Sequence, residues 1–363
     1  MNTERLAELA DFLIAANIDL GLQSNLDILR THFDNLINSP GNAEFQQLVA
    51  TGLDVLERSL RYFESDLTPA RLEAIRGIGG EPYFTVALTD GIRALAATNS
   101  ITPAVVRDRV VELSAERVTF VNTVAEAQRS LTQLGAAGEP PPPGTAELGF
   151  LIPRPIFSNS LEGLASEFSQ LNRIIAVFSE LARGSVEPVE VRQISTTDPL
   201  IFLGLNPITI AAIGGAITWA LDTWKRLLEI KGLHDQSEAA NMPAALLLGF
   251  KTHLENSVKV AVEEQSKALL ERYPPSDPAR ANELHNGLTW ALNSLMVKIE
   301  RGMTVEIRAL PRPAEPGAEP ELETAFAEIN ETAKRLEFPK LSGTRVLSLT
   351  DNSGEAEPPP HQS

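Results

Sequence analysis

Apolar side chains recur every three or four residues along most of the first 135 residues. This spacing places them on one face of an α-helix and predicts a series of amphipathic helices. A clear example near the N-terminus consists of Leu6, Leu9, Leu13, Ala16 and Leu20. Two later helix starts are marked by a threonine before a proline, Thr68-Pro69 and Thr102-Pro103, because the hydroxyl caps free amides and proline suits a first turn. Residues 1–135 are therefore predicted to form a helical bundle.

The longest regular stripe lies in the last helix predicted for this bundle. Its positions alternate in steps of four and three, the pattern of a helix that packs along its length. The stripe consists of Val106, Val110, Leu113, Arg117, Phe120, Val124, Ala127, Leu131 and Leu134. Arg117 is the one charged member and interrupts the apolar seam. The pattern fits packing against neighbouring helices of the same chain, which short connections favour, and it also fits a coiled coil between two chains.

Both ends of the second domain are marked by proline. The segment GAAGEPPPPG contains four consecutive prolines, which exclude a helix or a central strand and favour a stiff spacer. We therefore predict a Pro-rich linker at residues 136–145. Residues 311–363 are predicted to be an acidic, Pro/Glu-rich tail with one helix at 322–336, otherwise disordered because so polar a composition buries little surface.

Between these segments, residues 146–310 combine strand-like and helix-like patterns. Strands are predicted at 146–152, 188–195, 200–205 and 303–310, and amphipathic helices at 158–182 and through most of 207–301. The order strand, helix, strand, strand, helices, strand is that of a split βαβ, ferredoxin-like sandwich. The predicted fold class is predominantly helical α+β, in which the N-terminal bundle precedes a small α/β sandwich with long inserted helices at about 236–301.

Residues 199–221 carry no charged side chain. As a single helix they would be long enough to cross a membrane, since about 20 residues span the hydrocarbon core. Asn206-Pro207, however, is a helix cap followed by a first-turn proline, and it divides the segment into a strand and a helix of only about 22 Å. We favour a buried core over a peripheral or spanning membrane segment. The residues concerned are Ile208, Ile210, Ile213, Gly214, Gly215, Ile217, Trp219 and Trp224.

Composition narrows the classes of partner and compartment. The net charge is −17, which argues against binding to a nucleic acid backbone. The chain contains no cysteine, so it has no disulfide or thiolate zinc site, and this fits a reducing compartment. The first residues lack the basic start and cleavage site of a secretory signal. We therefore predict a cytoplasmic protein, with peripheral membrane association as the alternative.

Catalytic and metal-binding motifs are missing from the sequence. No two of the five histidines have the three- or four-residue spacing of paired metal ligands on one helix. No nucleophile elbow, phosphate loop or zinc-protease motif is present. The glycine-rich segment 76–82 lies between predicted helices and is interpreted as an interhelical turn. We predict no catalytic residue, no metal and no cofactor.

One polar cluster is a candidate ligand site. It lies in and just after the second predicted strand and consists of Arg192, Gln193, Ser195, Thr197 and Asp198. If the sheet opens a pocket there, these side chains could bind a small polar ligand. The alternative is ordinary turn chemistry, because Thr and Asp are common turn residues before a proline.

The sequence thus favours a non-enzymatic assembly or partner-binding protein that acts through helical packing surfaces. Self-association or a protein partner is expected from the long amphipathic helices and the missing catalytic motifs. Two alternatives stay open. The first is an effector that associates conditionally with membranes through residues 199–221, and the second is a ligand-binding or enzymatic site at residues 192–198.

Overall fold

The structure is a computed structural model that describes residues 3–99, 101–137, 142–195, 199–239, 244–275, 277–310 and 320–339, with only the backbone at 231–239 and 244–255. The described residues form twelve α-helices and one four-stranded antiparallel sheet, a predominantly helical α+β arrangement. The chain divides into two compact units, Met1–Pro141 and Pro142–Ser363. Each unit has its own hydrophobic core.

The first unit is a bundle of seven helices in its described residues. They are α1 (Thr3–Asp19), α2 (Leu22–Asn38), α3 (Ala43–Asp66), α4 (Pro69–Gly77), α5 (Glu81–Phe84), α6 (Ala87–Thr98) and α7 (Pro103–Gln133). Helix α7 packs along both α1 and α2, and α2 packs on α3. The predicted cap at α4 is present, because Thr68 Oγ1 accepts the Arg71 N–H at 3.2 Å. Thr102 makes no such bond at the start of α7. Of the two signals predicted there, only the first-turn proline, Pro103, is present.

The long stripe of α7 faces the interior of the bundle over most of its length. Val106, Val110 and Leu113 are buried within this unit, as is Val124 about three turns further on. The stripe leaves the core at its end, where Leu134 is 79% exposed. The packing of α7 within its own chain therefore accounts for the pattern as far as residue 124.

Arg117 does not interrupt this packing, because its side chain is 1% exposed and lies inside the bundle. Its guanidinium donates to Asn17 Oδ1 at 2.8 Å and to Gln23 Oε1 and the Tyr83 carbonyl at 3.3 Å, and it lies 5.1 Å from the Phe84 ring centroid. Burial lowers the pKa of Arg117 to about 10, so the group is still charged at neutral pH. The charged position of the stripe therefore ties α7 to α1, α2 and α5 through neutral acceptors.

The second unit combines four strands with five helices among its described residues. They are β1 (Thr145–Leu151), α8 (Leu161–Arg183), β2 (Glu190–Ser195), β3 (Leu200–Leu205), α9 (Pro207–Ala239), α10 (Ala244–Arg272), α11 (Ala281–Glu300), β4 (Thr304–Leu310) and α12 (Pro320–Arg335). Short 3-10 turns precede α8 and α11. Each predicted strand is present to within two residues at either end. Residues 240–243, between α9 and α10, lie outside the described residues.

The strands pair in the order β2-β3-β1-β4, and each pair is antiparallel. Leu148 of β1 stands opposite Leu203 of β3 and Ile307 of β4, and all three side chains belong to the hydrophobic core shared with the helices. The alternation of side chains along a strand makes this the core face of the sheet. The helices α8, α9 and α11 pack around one another beside it.

The second face of the sheet carries an aromatic ring and charged groups. The Phe202 ring lies against Gly149, where a Cβ would overlap it, and the Arg308 guanidinium covers the ring at 3.7 Å from its centroid. Glu147 stands opposite Arg308 in the register and is only 7% exposed. Burial raises the pKa of Glu147, and the nearby Arg308 and Arg192 oppose that rise. Strand β3 is thus buried on both faces over its first four residues.

Helix α12 belongs to the packed part of this unit. The sequence assigned its residues to a tail, yet α12 lies along α9 and beside β4. It buries Ala325, Phe326, Ile329 and Ala333. The contact is close at Gly214 of α9, where a Cβ would stand 2.9 Å from Thr332 Cγ2. The glycine therefore allows the two helices to approach each other.

Candidate functional site

The predicted polar cluster lies at the edge of the sheet. Arg192, Gln193 and Ser195 are in β2, whereas Thr197 and Asp198 lie outside the described residues. Arg192 binds Glu190 at 2.9 Å, and its side chain lies beside Gly204 of β3. Among the described members of the cluster, none lines the cleft found in this unit.

The uncharged segment is divided as Asn206-Pro207 predicts. Strand β3 ends at Leu205, α9 begins at Pro207, and Asn206 Oδ1 accepts the Ile208 N–H at 2.9 Å. The segment contributes a large part of the C-terminal core. Ile210, Ile213, Gly214, Ile217 and Trp224 are buried, Ile208 and Trp219 are half-buried, and Gly215 is exposed. Among the described residues, no helix has the length and apolar character to cross a membrane.

A cleft of about 710 Å³ lies between α9, α10 and α12. This volume is within the usual range of ligand-binding pockets. From α9 it is lined by Ala211, Gly215, Thr218, Trp219, Asp222, Thr223 and Arg226. From α10 and α12 it is lined by Ala261, Glu264, Gln265, Ala268, Arg272, Glu328, Glu331, Thr332 and Arg335. Residues from three helices, two of them consecutive and the third near the end of the described chain, therefore form one concave surface.

Part of the lining of the cleft consists of small residues. They are Ala211 and Gly215 of α9 and Ala261 and Ala268 of α10. A Cβ at Gly215 would meet no atom within 4 Å, in contrast to its neighbour Gly214. The two adjacent glycines therefore have different effects. Gly214 allows α12 to pack closely on α9, whereas Gly215 leaves open space in the cleft.

Two ion pairs join helices at the rim of the cleft. Asp222 of α9 binds Arg335 of α12 at 3.0 Å, and Arg272 of α10 binds Glu328 of α12. Both pairs are substantially exposed, so each stabilises the fold by no more than about 1 kcal/mol. Their geometric effect is to connect α12 to both neighbours on either side of the opening.

Three charged side chains that line the cleft have no ion-pair partner among the described residues. Arg226, Glu264 and Glu331 form no ion pair with any residue that the structure describes. Two carboxylates and one guanidinium therefore give the open part of the rim an excess negative charge. The whole chain has the same sign, at −17.

Sequence reasoning missed this cleft, although part of its signal is present. Along α9, the small or polar positions 211, 215, 218, 222 and 226 follow steps of three and four through an otherwise apolar helix. Such a stripe marks a helix face that is not filled by core side chains. The matching faces of α10 and α12 only become apparent in the folded unit, because they lie about 50 and 110 residues further along the chain.

A buried charge cluster lies elsewhere in this unit. Lys298 of α11, 1% exposed, donates to Glu167 of α8, which is 7% exposed. Arg301 Nη1 stands 3.9 Å from the same carboxyl group, and its Nη2 donates to the Ile156 carbonyl. None of these three side chains lines the cleft between α9, α10 and α12, and the buried pair joins α8 to α11.

The described histidines and carboxylates form no metal centre. His285 Nε2 of α11 lies 3.3 Å from Glu263 Oε1 of α10, and Lys267 binds the same oxygen at 3.1 Å. Across the part of the chain that the structure describes, no three His, Asp or Glu side chains are grouped so that they could hold a metal ion. Searches of family models, curated proteins and solved structures found no match to the chain.

Proposed function

We propose that this chain acts by binding a partner and not by catalysis, and that its C-terminal unit binds a positively charged amphipathic helix of another protein. The observation that carries this proposal is the cleft between α9, α10 and α12. Its lining combines small uncharged side chains with carboxylates that have no ion-pair partner among the described residues. Helix-in-groove recognition uses such a surface, since the apolar face of the incoming helix needs a groove and its polar face needs a charged rim.

The small residues that line the cleft favour a helical occupant. Helices approach one another closely where their contact residues are small, as α12 does at Gly214. Gly215 and Ala211 offer the same kind of surface beside it, with nothing within 4 Å of a Cβ at Gly215. Trp219 lines the cleft and is half-buried, so a partner would bury the remainder of its ring. Aromatic side chains in this position are frequent anchors of binding energy.

The charges favour a basic partner. Glu264 and Glu331 outnumber Arg226 among the unpaired rim groups, and the net charge of −17 attracts cations at long range. A protein without cysteine fits a reducing compartment, and we propose that the partner is met in the cytoplasm.

We also propose that the second unit is a split βαβ, ferredoxin-like sandwich that carries inserted helices. The strand order β2-β3-β1-β4, with α8 between β1 and β2 and further helices between β3 and β4, supports this assignment. In this scheme, residues 1–135 form the bundle, 136–145 the linker and 146–310 the sandwich. The insertion at about 236–301 then supplies α10, which is one wall of the cleft.

The test uses the full chain and a synthetic amphipathic helix built from Leu and Lys. Binding is followed by Trp fluorescence, and a Leu/Glu peptide of the same pattern serves as the charge control. Gly215→Leu fills the cleft. Gly91→Leu is the matched variant, because Gly91 is also helical and also has nothing within 4 Å of a Cβ. We expect Gly215→Leu to weaken binding at least about tenfold, or about 1.4 kcal/mol, and Gly91→Leu to leave it unchanged.

Equal affinity of the Leu/Lys peptide for both glycine variants would exclude the cleft as its binding site. Preference for the Leu/Glu peptide would exclude the basic partner.

The membrane alternative stays a prediction. It requires Ile210, Ile213 and Ile217 to leave a core in which each is fully buried. Flotation with anionic liposomes distinguishes the two proposals. A membrane effector would float and lose this property in Ile213→Asp, whereas a cleft-binding protein would stay in the soluble fraction.

A further inference from the structure

Strand β2 lies at one edge of the sheet and carries exposed apolar side chains. Within the described residues its strand partner is β3, on one side only. Val191 is 56% exposed and Ile194 is 57% exposed. Exposed, hydrophobic edge strands are sites at which another strand can be added to a sheet.

A bulge places both of these side chains on the same face. The register of β2 on β3 shifts between Val191 and Gln193, so that Val191 stands opposite Leu203 and Ile194 stands opposite Ile201. Leu203 and Ile201 both point to the core face. Regular alternation would put residues three positions apart on opposite faces. The bulge instead creates an apolar pair that continues the core face beyond the edge of the sheet.

The charges of β2 do not block this pair. Arg192 and Glu190 bind each other at 2.9 Å and lie beside Gly204, whose missing side chain faces the opposite side of the sheet from Leu203. An inward-pointing charge on an edge strand is a usual protection against pairing. On the apolar face of β2 no such charge is present at residues 190–195.

We propose that a second copy of this chain adds its β2 antiparallel to this edge and joins two four-stranded sheets into one of eight. The two-fold register places Val191 opposite Ile194 of the second copy, and Ile194 opposite Val191. Glu190 then faces the neutral Ser195, and Arg192 faces a neutral glutamine. The pairing uses neither the cleft nor its helices, so it is independent of the proposed peptide binding.

A second copy fits this edge because the residue pattern is self-complementary. A two-fold axis between the two copies sets residues at equal distances from the axis opposite each other. In this register apolar side chains stand opposite apolar side chains, and no like charges stand opposite each other. The net charge of −17 on each copy opposes association at low ionic strength. Added salt screens this repulsion, so the dimer is expected to strengthen as salt increases.

The register is tested by disulfide cross-linking. Because the chain has no native cysteine, only the introduced cysteines can form a disulfide. Directly opposite residues in an antiparallel pair have Cα atoms about 4.5–5.5 Å apart, within the range of a disulfide. Two full-length variants are made, Val191→Cys and Ile194→Cys. An oxidised mixture of the two is expected to yield the disulfide-linked dimer, and either variant alone is expected to yield at least about tenfold less.

Sedimentation over a micromolar concentration series supplies the second measurement. Val191→Lys is expected to weaken dimerisation at least about tenfold, because it puts like charge and a polar group into the apolar pair. Val186→Lys is the matched control, since Val186 is 60% exposed in the same unit but lies before β2. A chain that is monomeric at every concentration and salt would overturn the proposal and leave the edge to a strand of a different protein. Equal cross-linking in all three cysteine samples would also overturn it.

Discussion

Lys298 of α11 donates a hydrogen bond to Glu167 of α8 inside the core of the C-terminal unit. Both groups are withdrawn from water, at 1% and 7% exposure, so the Lys298 ammonium depends on Glu167 for compensation of its charge. The pair joins two helices that also meet where the Arg173 guanidinium of α8 lies over the Trp290 ring of α11.

Removal of one partner should therefore be more harmful than removal of both. Glu167→Gln leaves the Lys298 ammonium buried without a counter-ion and is expected to lower the free energy of unfolding by about 3–5 kcal/mol. The double variant Glu167→Leu with Lys298→Met should recover most of this loss. Urea unfolding followed by circular dichroism checks both values. A single variant within about 1 kcal/mol of the native protein would contradict the assigned pairing.

Adjacent glycines in α9 should respond to the same substitution with opposite signs. Gly215→Ala adds a methyl group in open space and removes a helix-weakening residue, so it is expected to stabilise by about 1 kcal/mol. Gly214→Ala places its methyl 2.9 Å from Thr332 Cγ2, on a short side chain that cannot swing away. Overpacking of this kind costs about 1–3 kcal/mol.

Thermal unfolding of the two alanine variants, measured side by side, is the check on this contrast. If both variants were stabilised by the same amount, α12 would not pack on α9 as closely as described.

Glu147 should make stability depend on pH in the acid range. Its folded-state pKa is raised by burial above the ordinary value of 4.5, so folding favours the protonated form. At neutral pH the buried charge is a cost, and this cost disappears as pH falls through the raised pKa towards 4.5. Glu147→Gln should thus raise the melting temperature at pH 7, and its advantage over the native chain should shrink on acidification.

The matched control for this pH series is Glu283→Gln, because Glu283 is 72% exposed in the same unit. A melting-temperature gain for Glu147→Gln that grew on acidification would show that the carboxylate is stabilised by Arg308 and Arg192 more than it is penalised by burial.

Arg117 should be necessary to the helical bundle in spite of its charge. Arg117→Ala would leave Asn17 Oδ1, Gln23 Oε1 and the Tyr83 carbonyl without their donor and would open a cavity. We expect a loss of about 3 kcal/mol or more in the free energy of unfolding. Arg129→Ala on the exposed side of the same helix should cost less than about 0.5 kcal/mol. Chemical denaturation of both variants measures the difference.

The positions of helices and strands follow from local signals, whereas the cleft does not. Asn206-Pro207 located the start of α9, since a cap and a first-turn proline act within one turn of helix. The interior position of Arg117 was not predicted, because its compensation comes from Asn17 and Gln23, nearly a hundred residues earlier. The cleft likewise depends on α9, α10 and α12 meeting in space. Local periodicity shows which face of a helix lacks core side chains, but it does not show which other helices stand beside it.

The order of the strands determines when the second unit can assemble on the ribosome. Strand β1 lies between β3 and β4, and β4 follows only after α9, α10 and α11 have been synthesised. Until residues 304–310 emerge, the side of β1 that will receive β4 has no strand of its own chain to pair with. Contacts this distant in sequence form slowly and leave unpaired edges open to misassembly during synthesis. Of the two inner strands of the finished sheet, β1 is therefore the one that waits longest for its second neighbour. A chain shortened before β4 would retain an intact N-terminal bundle but carry an incomplete, aggregation-prone sheet.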